Sequence, residues 1–302
     1  MVIIELWQLK QLQTLPLEVK ILKTQQRITE WYEHWKGQVY VSFSGGKDST
    51  VLLNLVRELY PEVPAVFVDT GLEYPEIKDF VKTFDNVVKL KPKKSFREVI
   101  NDYGYPVISK EISQYLYEIK TTKSEKLRNR RLYGNEKGQF KLPEKWVNFI
   151  EAPFKISHNC CNVMKKAPIH SFETKTGLRP IVGTLVDESN LRKTNYLKYG
   201  CNSFKTNKSQ PLSFWTEQDI LEYLHSKNLP MASVYGDIVF EKGEYKTTGV
   251  NRTGCMFCMF GIHLEKGENR FQKMKKTHPK IYDYCINNLK CGEVLDYIKV
   301  AY

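Results

Sequence analysis

Residues 39–50 read VYVSFSGGKDST, and this dozen constrains the fold more than any other part of the chain. Val39 to Phe43 is a short β-branched and aromatic run of the kind that fills a buried parallel strand. Ser44-Gly45-Gly46-Lys47-Asp48-Ser49 is a tight polar turn, and Thr50-Val51-Leu52-Leu53-Asn54-Leu55-Val56 resumes with helical spacing. Two adjacent glycines let the backbone approach an oxyanion and take positive φ, while the free N–H groups and dipole of the new helix favour negative charge there. Lys47 adds a full positive charge, and Ser44 and Ser49 add hydroxyl donors. The stretch reads as a phosphate cradle. The plainer alternative is a strand-to-helix turn in which Asp48 caps the helix and Lys47 is a solvated charge.

The pattern continues after this turn. A strand at 64–69 leads to a helix at 75–84, and a strand at 86–90 to a helix near 95–103. Alternation of this kind implies an α/β fold: a parallel twisted sheet with helices on both faces and ligands at the carboxyl ends of strands. Asp69-Thr70-Gly71 lies at such an end. Before the first strand, Leu17, Ile21, Ile28 and Trp31 mark an amphipathic helix from Leu15 to Trp35. A helix near 165–176, a strand at 180–185, a polar turn from Asp187 to Arg192 and a helix at 216–226 follow, the last with Thr216 as N-cap and Asp219 at its third position. Beyond about residue 230 the pattern loosens into turns before a helix near 279–289. The expected division is an N-terminal helical segment at 1–37, a nucleotide-binding domain at 38–230 with a basic helical insertion at 105–150, and a cysteine-rich region at 231–302.

The chain has 302 residues, enough for a full core, and a formal charge of +12 that suggests an anionic partner. Residues 119–145 hold nine Lys or Arg against three Glu, half of that net charge in one window. With Tyr133, Phe140 and Trp146 close by, such a segment can grip a nucleic-acid backbone and stack on bases; a solvated helical face is the plainer reading. No apolar run reaches membrane-spanning length and the first residues lack a secretory pattern, so no membrane is expected and the expected compartment is cytoplasmic.

Seven cysteines without export signals argue for thiols, metal ligands or catalysis over a disulfide framework. Cys255-Met256-Phe257-Cys258 has the spacing that turns two thiolates toward one metal centre, and Cys160-Cys161 lies upstream. Four thiolates suit either zinc or a [4Fe–4S] cluster. Adjacent cysteines are awkward around one tetrahedral ion, which favours the cluster. A redox dithiol at Cys255 and Cys258 and buried inert thiols are the alternatives. Cys201, Cys285 and Cys291 have no spacing partner.

The turn at 44–49 is not of the Walker type, because Asp48 separates Lys47 from Ser49. It resembles the pyrophosphate loop of the PP-loop ATP pyrophosphatases, whose fold is adenine nucleotide alpha hydrolase-like. Together with VDTG at 68–71, GYPVISKEIS at 104–113, CCNVMKKAPI at 160–169, ESNLR at 188–192, PLSFWTEQDILEYL at 211–224 and RTGCMFC at 252–258, the chain resembles the phosphoadenosine phosphosulfate (PAPS) reductase family of that superfamily. The resemblance implies phosphates on Ser44, Gly45, Gly46, Lys47, Asp48 and Ser49, adenosine near Asp69, Thr70 and Gly71, and Arg192 pointing at the anion. It also likens Cys160, Cys161, Cys255 and Cys258 to the [4Fe–4S] site of adenylyl-sulfate reductases.

Sulfonucleotide reductases usually have a degenerate loop without the lysine and a catalytic cysteine in a Glu-Cys-Gly-aliphatic-His tail. This chain keeps Lys47 and Ser49, and around Cys291 it reads NLKCGEV. The expectation is therefore an ATP- and Mg²⁺-dependent enzyme that adenylylates its substrate ahead of sulfur transfer, with Lys47, Asp48 and Arg192 as catalytic residues. Its expected partners are an adenine nucleotide, nucleic acid through 119–145, a sulfur-donor protein and a second copy of the chain. A sulfonucleotide reductase releasing sulfite and a non-catalytic nucleotide-sensing or DNA-binding regulator are the alternatives.

Overall fold

A computed structural model describes residues 4–302 and divides the chain into two compact units. The first comprises the chain up to Asp69, Tyr74–Leu90 and Ile169–Thr253; the second comprises Thr70–Glu73, Lys91–Pro168 and Gly254–Tyr302. These boundaries differ from the three consecutive segments expected from sequence. The N-terminal helices and residues 231–253 go with the nucleotide loop, whereas the basic stretch goes with both cysteine segments.

The first unit is built on a six-stranded sheet in the order β3-β2-β1-β5-β7-β6. These strands are β1 (Val39–Ser42), β2 (Ala65–Val68), β3 (Val87–Leu90), β5 (Arg179–Val182), β6 (Asn202–Ser203) and β7 (Lys208–Ser209). Central β1 pairs in parallel with β2 (Val41 opposite Ala65) and with β5 (Val41 opposite Ile181). Only β6, at one edge, runs antiparallel to its neighbour. Val39, Tyr40 and Val41 are fully buried, as a strand flanked on both sides requires. The chain leaves β1 for β2 on one side and β5 lies on the other, so the carboxyl end of β1 is the point where the strand order reverses and a crevice opens.

Helix α3 (Lys47–Leu59) follows β1 directly and buries Val51, Leu52, Leu53, Leu55 and Val56. It starts inside the stretch expected to be a turn, which puts Lys47 and Asp48 in its first turn. Helix α1 (Leu6–Gln13) precedes α2 (Leu17–His34), whose buried stripe is Leu17, Lys20, Thr24, Ile28 and Trp31. Polar residues complete it because each has a buried partner: Lys20 Nζ meets both oxygens of Asp219 at 2.7 Å, and Thr24 accepts the Trp215 indole N–H at 2.8 Å. Asp219 belongs to α10 (Glu217–Ser226), where Thr216 and Asp219 form the capping box expected from sequence. Helix α4 (Pro75–Lys82) precedes β3, and α8 (Ala167–Thr176) precedes β5.

Two segments of this unit depart from the sequence reading. Asn190–Tyr199 is helix α9, where a polar turn to Arg192 was expected. Ser189 caps it by accepting the Arg192 N–H, so the polar run marks a helix start and not a loop. The hairpin of β8 (Ile238–Glu241) and β9 (Glu244–Thr247) also lies in a region that had shown no pattern.

In the second unit, α5 (Phe96–Asp102) leads to β4 (Val107–Ile108), α6 (Lys110–Thr121) and α7 (Glu125–Tyr133). Strand β4 pairs in parallel with β10 (Met259–Phe260), which follows the Cys-x-x-Cys turn. Gly104 sits at φ +113°, and a Cβ there would lie 2.4 Å from the Lys155 carbonyl, so only glycine fits. A single helix was expected near 279–289; α12 (Pro279–Asp283) instead passes through a π-turn at Tyr284–Asn288, and α13 (Cys291–Tyr297) follows it. Helix α11 (Arg270–Thr277) packs Phe271 and Met274 into this unit's core.

Candidate functional site

The glycine turn closes on itself through its hydroxyls. Ser44 Oγ and Ser49 Oγ lie 3.1 Å apart, Ser49 accepts the Ser44 N–H at 3.2 Å, and Ser49 and Thr50 donate to the Gly46 carbonyl. The Lys47 N–H reaches the Tyr235 hydroxyl at 3.3 Å, and that hydroxyl lies 2.7 Å from Thr253 Oγ1. Gly46 approaches both groups so closely that a Cβ would meet them at 3.2 and 3.4 Å.

A cavity of about 370 Å³ opens over this turn, lined by Ser44, Gly46, Lys47, Asp48, Ser49, Gly183, Thr184, Glu188, Arg192, Tyr235, Arg252 and Thr253 among others. It gathers three cationic side chains against two carboxylates. Lys47 is 5% exposed, and its ammonium contacts Glu217 at 3.0 Å, the Asn251 carbonyl at 3.1 Å and Asp48 at 3.7 Å. Glu188 holds Arg192 through one oxygen and Arg252 through the other. Burial, and then the adjacent Arg252, lower the Arg192 guanidinium from its ordinary value. Burial pushes the Asp48 carboxyl up, against the opposing pull of Lys47 and Arg252. One Asp48 oxygen is buried with no hydrogen-bond donor. A carboxylate oxygen whose partner is the Lys47 ammonium at 3.7 Å, in a cavity shared with the Ser44 and Ser49 hydroxyls, suits a divalent cation such as Mg²⁺.

Of the residues expected at this site, Ser44, Gly46, Lys47, Asp48, Ser49 and Arg192 line the one cavity. Gly45 does not. It sits at φ +72°, and a Cβ would strike Val81 and Ile77 of α4 at 2.7 and 2.9 Å, so packing on α4 by itself requires glycine here. Asp69, Thr70 and Gly71 are not among the lining residues either. Asp69 pairs with Lys78 at 3.0 Å, and Thr70 donates its N–H and hydroxyl to Glu73 at 3.0 and 2.7 Å. Sequence reasoning missed Glu188, Glu217, Tyr235, Arg252 and Thr253. Arg252 and Thr253 stand at the head of RTGCMFC, where the cysteines drew the attention, while nothing local distinguishes Tyr235.

The second unit holds all four cysteines expected to act together. Cys160 is buried and feels Cys161, Cys255 and Cys258 electrostatically, and Lys165 hydrogen-bonds Cys255. The Cys-x-x-Cys turn is pinned by Met256 N–H to Leu72 O (2.8 Å), Cys258 N–H to Cys255 O (3.1 Å) and Arg270 to Cys258 O (3.1 Å). Burial raises the Cys160 and Cys258 thiols and brings Cys255 to about 11 despite Lys165. Burial alone would depress Lys165, but Cys255 and Glu73 hold it raised. Among the described residues no three His, Cys, Asp or Glu side chains are set closely enough for a single metal ion. Four thiols in one unit beside a lysine form a donor set that a cluster, with its separated irons, can use. Cys285 and Cys291 are fully buried and hydrogen-bonded to each other, and burial pushes the Cys201 thiol up to about 12.

The phosphoadenosine phosphosulfate reductase domain model matches residues 38–132 and 109–259. An adenosine 5'-phosphosulfate reductase of Staphylococcus epidermidis is 26% identical over 212 residues, covering 67% of this chain and 68% of the relative. An uncharacterized protein of Methanocaldococcus jannaschii is 22% identical over 271 residues, 87% of this chain and 51% of that protein. Similar solved structures include the PAPS reductase of Candida auris (TM-score 0.38, 13% identity, 76% of this chain and 90% of that one) and the U34-tRNA thiolase NcsA of Methanococcus maripaludis with its [4Fe–4S] cluster (TM-score 0.38, 15% identity, 94% and 82%), likenesses too loose to bear on chemistry. The domain match spans the β1 turn, the paired cysteines and the Cys-x-x-Cys motif alike, and by it the chain belongs to the phosphoadenosine phosphosulfate reductase family.

Proposed function

We propose that the chain binds ATP with Mg²⁺ over the α3 turn and uses it to adenylylate an oxygen of its substrate, preparing that position for sulfur. The observation that carries this reading is the convergence of Lys47, Arg192 and Arg252 on one cavity that also holds the buried Asp48 carboxylate. The substrate oxygen attacks the α-phosphorus, the bond from that phosphorus to the bridging oxygen breaks, and pyrophosphate leaves. The β- and γ-phosphates lie against the first-turn amides, Ser44 and Ser49. Lys47 neutralises charge on the leaving group, Arg192 and Arg252 brace the phosphates, and Asp48 helps hold Mg²⁺. Adenosine contacts at Asp69, Thr70 and Gly71 belong to the same proposal.

Cys160, Cys161, Cys255 and Cys258 would hold a [4Fe–4S] cluster, which supplies sulfur-handling chemistry when bound. A sulfur-donor protein, a nucleic-acid substrate and a homo-oligomer complete the proposal. The test is pyrophosphate release from ATP by anaerobically purified protein given candidate RNA or DNA. Substrate-dependent release that Lys47→Ala removes is expected; release that survives this change would sink the loop assignment.

The second reading is a sulfonucleotide reductase, favoured by the similarity to adenosine 5'-phosphosulfate reductases. It needs a reachable thiol outside the cluster set, and Cys291 is 0% exposed. Sulfite formation from adenylyl sulfate with thioredoxin, lost in Cys291→Ser, would establish it in place of the first. Tight ATP binding with neither product would favour a regulator.

A further inference from the structure

The four cations of α7 divide between two faces of the helix. Arg128 donates to the Ile119 and Thr122 carbonyls, and Arg131 pairs with Glu118 and lies 4.2 Å over the Tyr115 ring, so these two fasten α7 to α6. Lys126, Arg130 and Tyr133 are spaced by four and three residues and share the opposite face. They line a cavity of about 590 Å³ with the loop that follows, including Asn135, Glu136 and Lys137. Tyr133 is 74% exposed, and neither it nor Lys126 nor Lys137 uses its side chain in a hydrogen bond or ion pair with the described residues.

The cavity has firm walls. Gly134 N–H closes α7 on the Arg130 carbonyl, Asn135 Oδ1 accepts the Lys137 and Gln139 amides at 3.1 and 2.7 Å, and Leu142, 2% exposed, returns its N–H to Arg131 O at 2.7 Å. The Arg130 guanidinium lies over the Phe140 ring at 4.2 Å. A firm concave surface with an unoccupied aromatic face among cations has the components that single strands use: rings for bases to stack on and charges that track phosphates. A duplex offers such a ring nothing, since its bases are already stacked.

We propose that this face of α7 and the loop at 134–139 bind single-stranded nucleic acid, with a base stacked on Tyr133 and phosphates on Lys126, Arg130 and Lys137. The inference makes the nucleic-acid partner of the proposed function specific, and it stands on residues that do not enter the nucleotide chemistry.

Anisotropy of a labelled, unstructured oligouridylate or oligothymidylate with the full chain, without ATP, tests it. Tyr133→Ala weakens binding about tenfold while Tyr133→Phe keeps it, and Lys126→Ala and Lys137→Ala each reduce the salt slope by about 0.7. A duplex of equal length binds at least about tenfold more weakly. Absence of binding at physiological salt, unchanged affinity in Tyr133→Ala, or an equal preference for duplex overturns the proposal. Lys47→Ala, expected to bind the oligonucleotide normally, separates failure of this surface from failure of the nucleotide site.

Discussion

In the role proposed for it, Asp48 trades stability for chemistry. Its carboxyl is raised by burial, so the native protein holds that proton more tightly than the unfolded chain does. The resulting stabilisation is complete below the ordinary carboxylate range and is lost as pH rises through the raised value. Once pH has risen through that value, the ligand-free protein carries a desolvated charge. Asp48→Asn is expected to stabilise it by about 1 kcal/mol there, with no gain at about pH 4, and to remove Mg²⁺-dependent pyrophosphate release. Thermal melts on the two sides of that value and the pyrophosphate assay check both halves. Lys47 has its own restraint, because Glu217 must release the ammonium when phosphates arrive. Since Glu217 is largely exposed, Glu217→Gln should tighten ATP binding only several-fold, on the order of 1 kcal/mol by calorimetry. Arg252→Ala should weaken ATP by about tenfold, as expected for one charge-assisted contact; an unchanged affinity would remove Arg252 from the site.

At the scale of elements, α10 and α2 are locked by the same carboxylate. Asp219 accepts the Thr216 N–H and hydroxyl through one oxygen while both its oxygens face Lys20. Thr216→Ala should cost about 1 kcal/mol, the ordinary value of a cap. Lys20→Met should cost about 3 kcal/mol or more, because it leaves a buried carboxylate without its cation; denaturant titration of the two variants separates these values. The α10 cap was legible in sequence because its signal is local, Thr216 and Asp219 three residues apart. The α2 stripe was only half legible. Lys20 and Thr24 look like solvent residues until partners near position 215 meet them, and no local pattern announces a partner nearly two hundred residues away. The same divide runs through the candidate site. The β1 turn and α3 were readable because strand, glycines and helix are contiguous, and Arg192 because it stands in a recognisable motif. Tyr235 and Arg252 reach the turn from distant segments, and the polar run that announced a loop was the cap of α9.

For the whole molecule, the cysteine set gives a prediction about loading. Thiols held high by burial must surrender protons to bind iron, and Cys255 stands at about 11. Reconstitution with iron and sulfide should be faster at about pH 8 than at about pH 6 and should release protons. Visible absorption with iron and sulfide analysis follows it, with about four of each per chain as the end point. Cys255→Ser or Cys160→Ser should prevent it, and unchanged iron in both would exclude these residues as ligands. The two units also alternate along the polypeptide, changing over after Asp69, Glu73, Leu90, Pro168 and Thr253. A ribosome therefore delivers the pieces of each unit in instalments. Cys160 and Cys161 emerge long before Cys255 and Cys258, so if the four hold the proposed cluster, a nascent chain spends that interval with half a ligand set, and metal delivery becomes an event of the finished polypeptide.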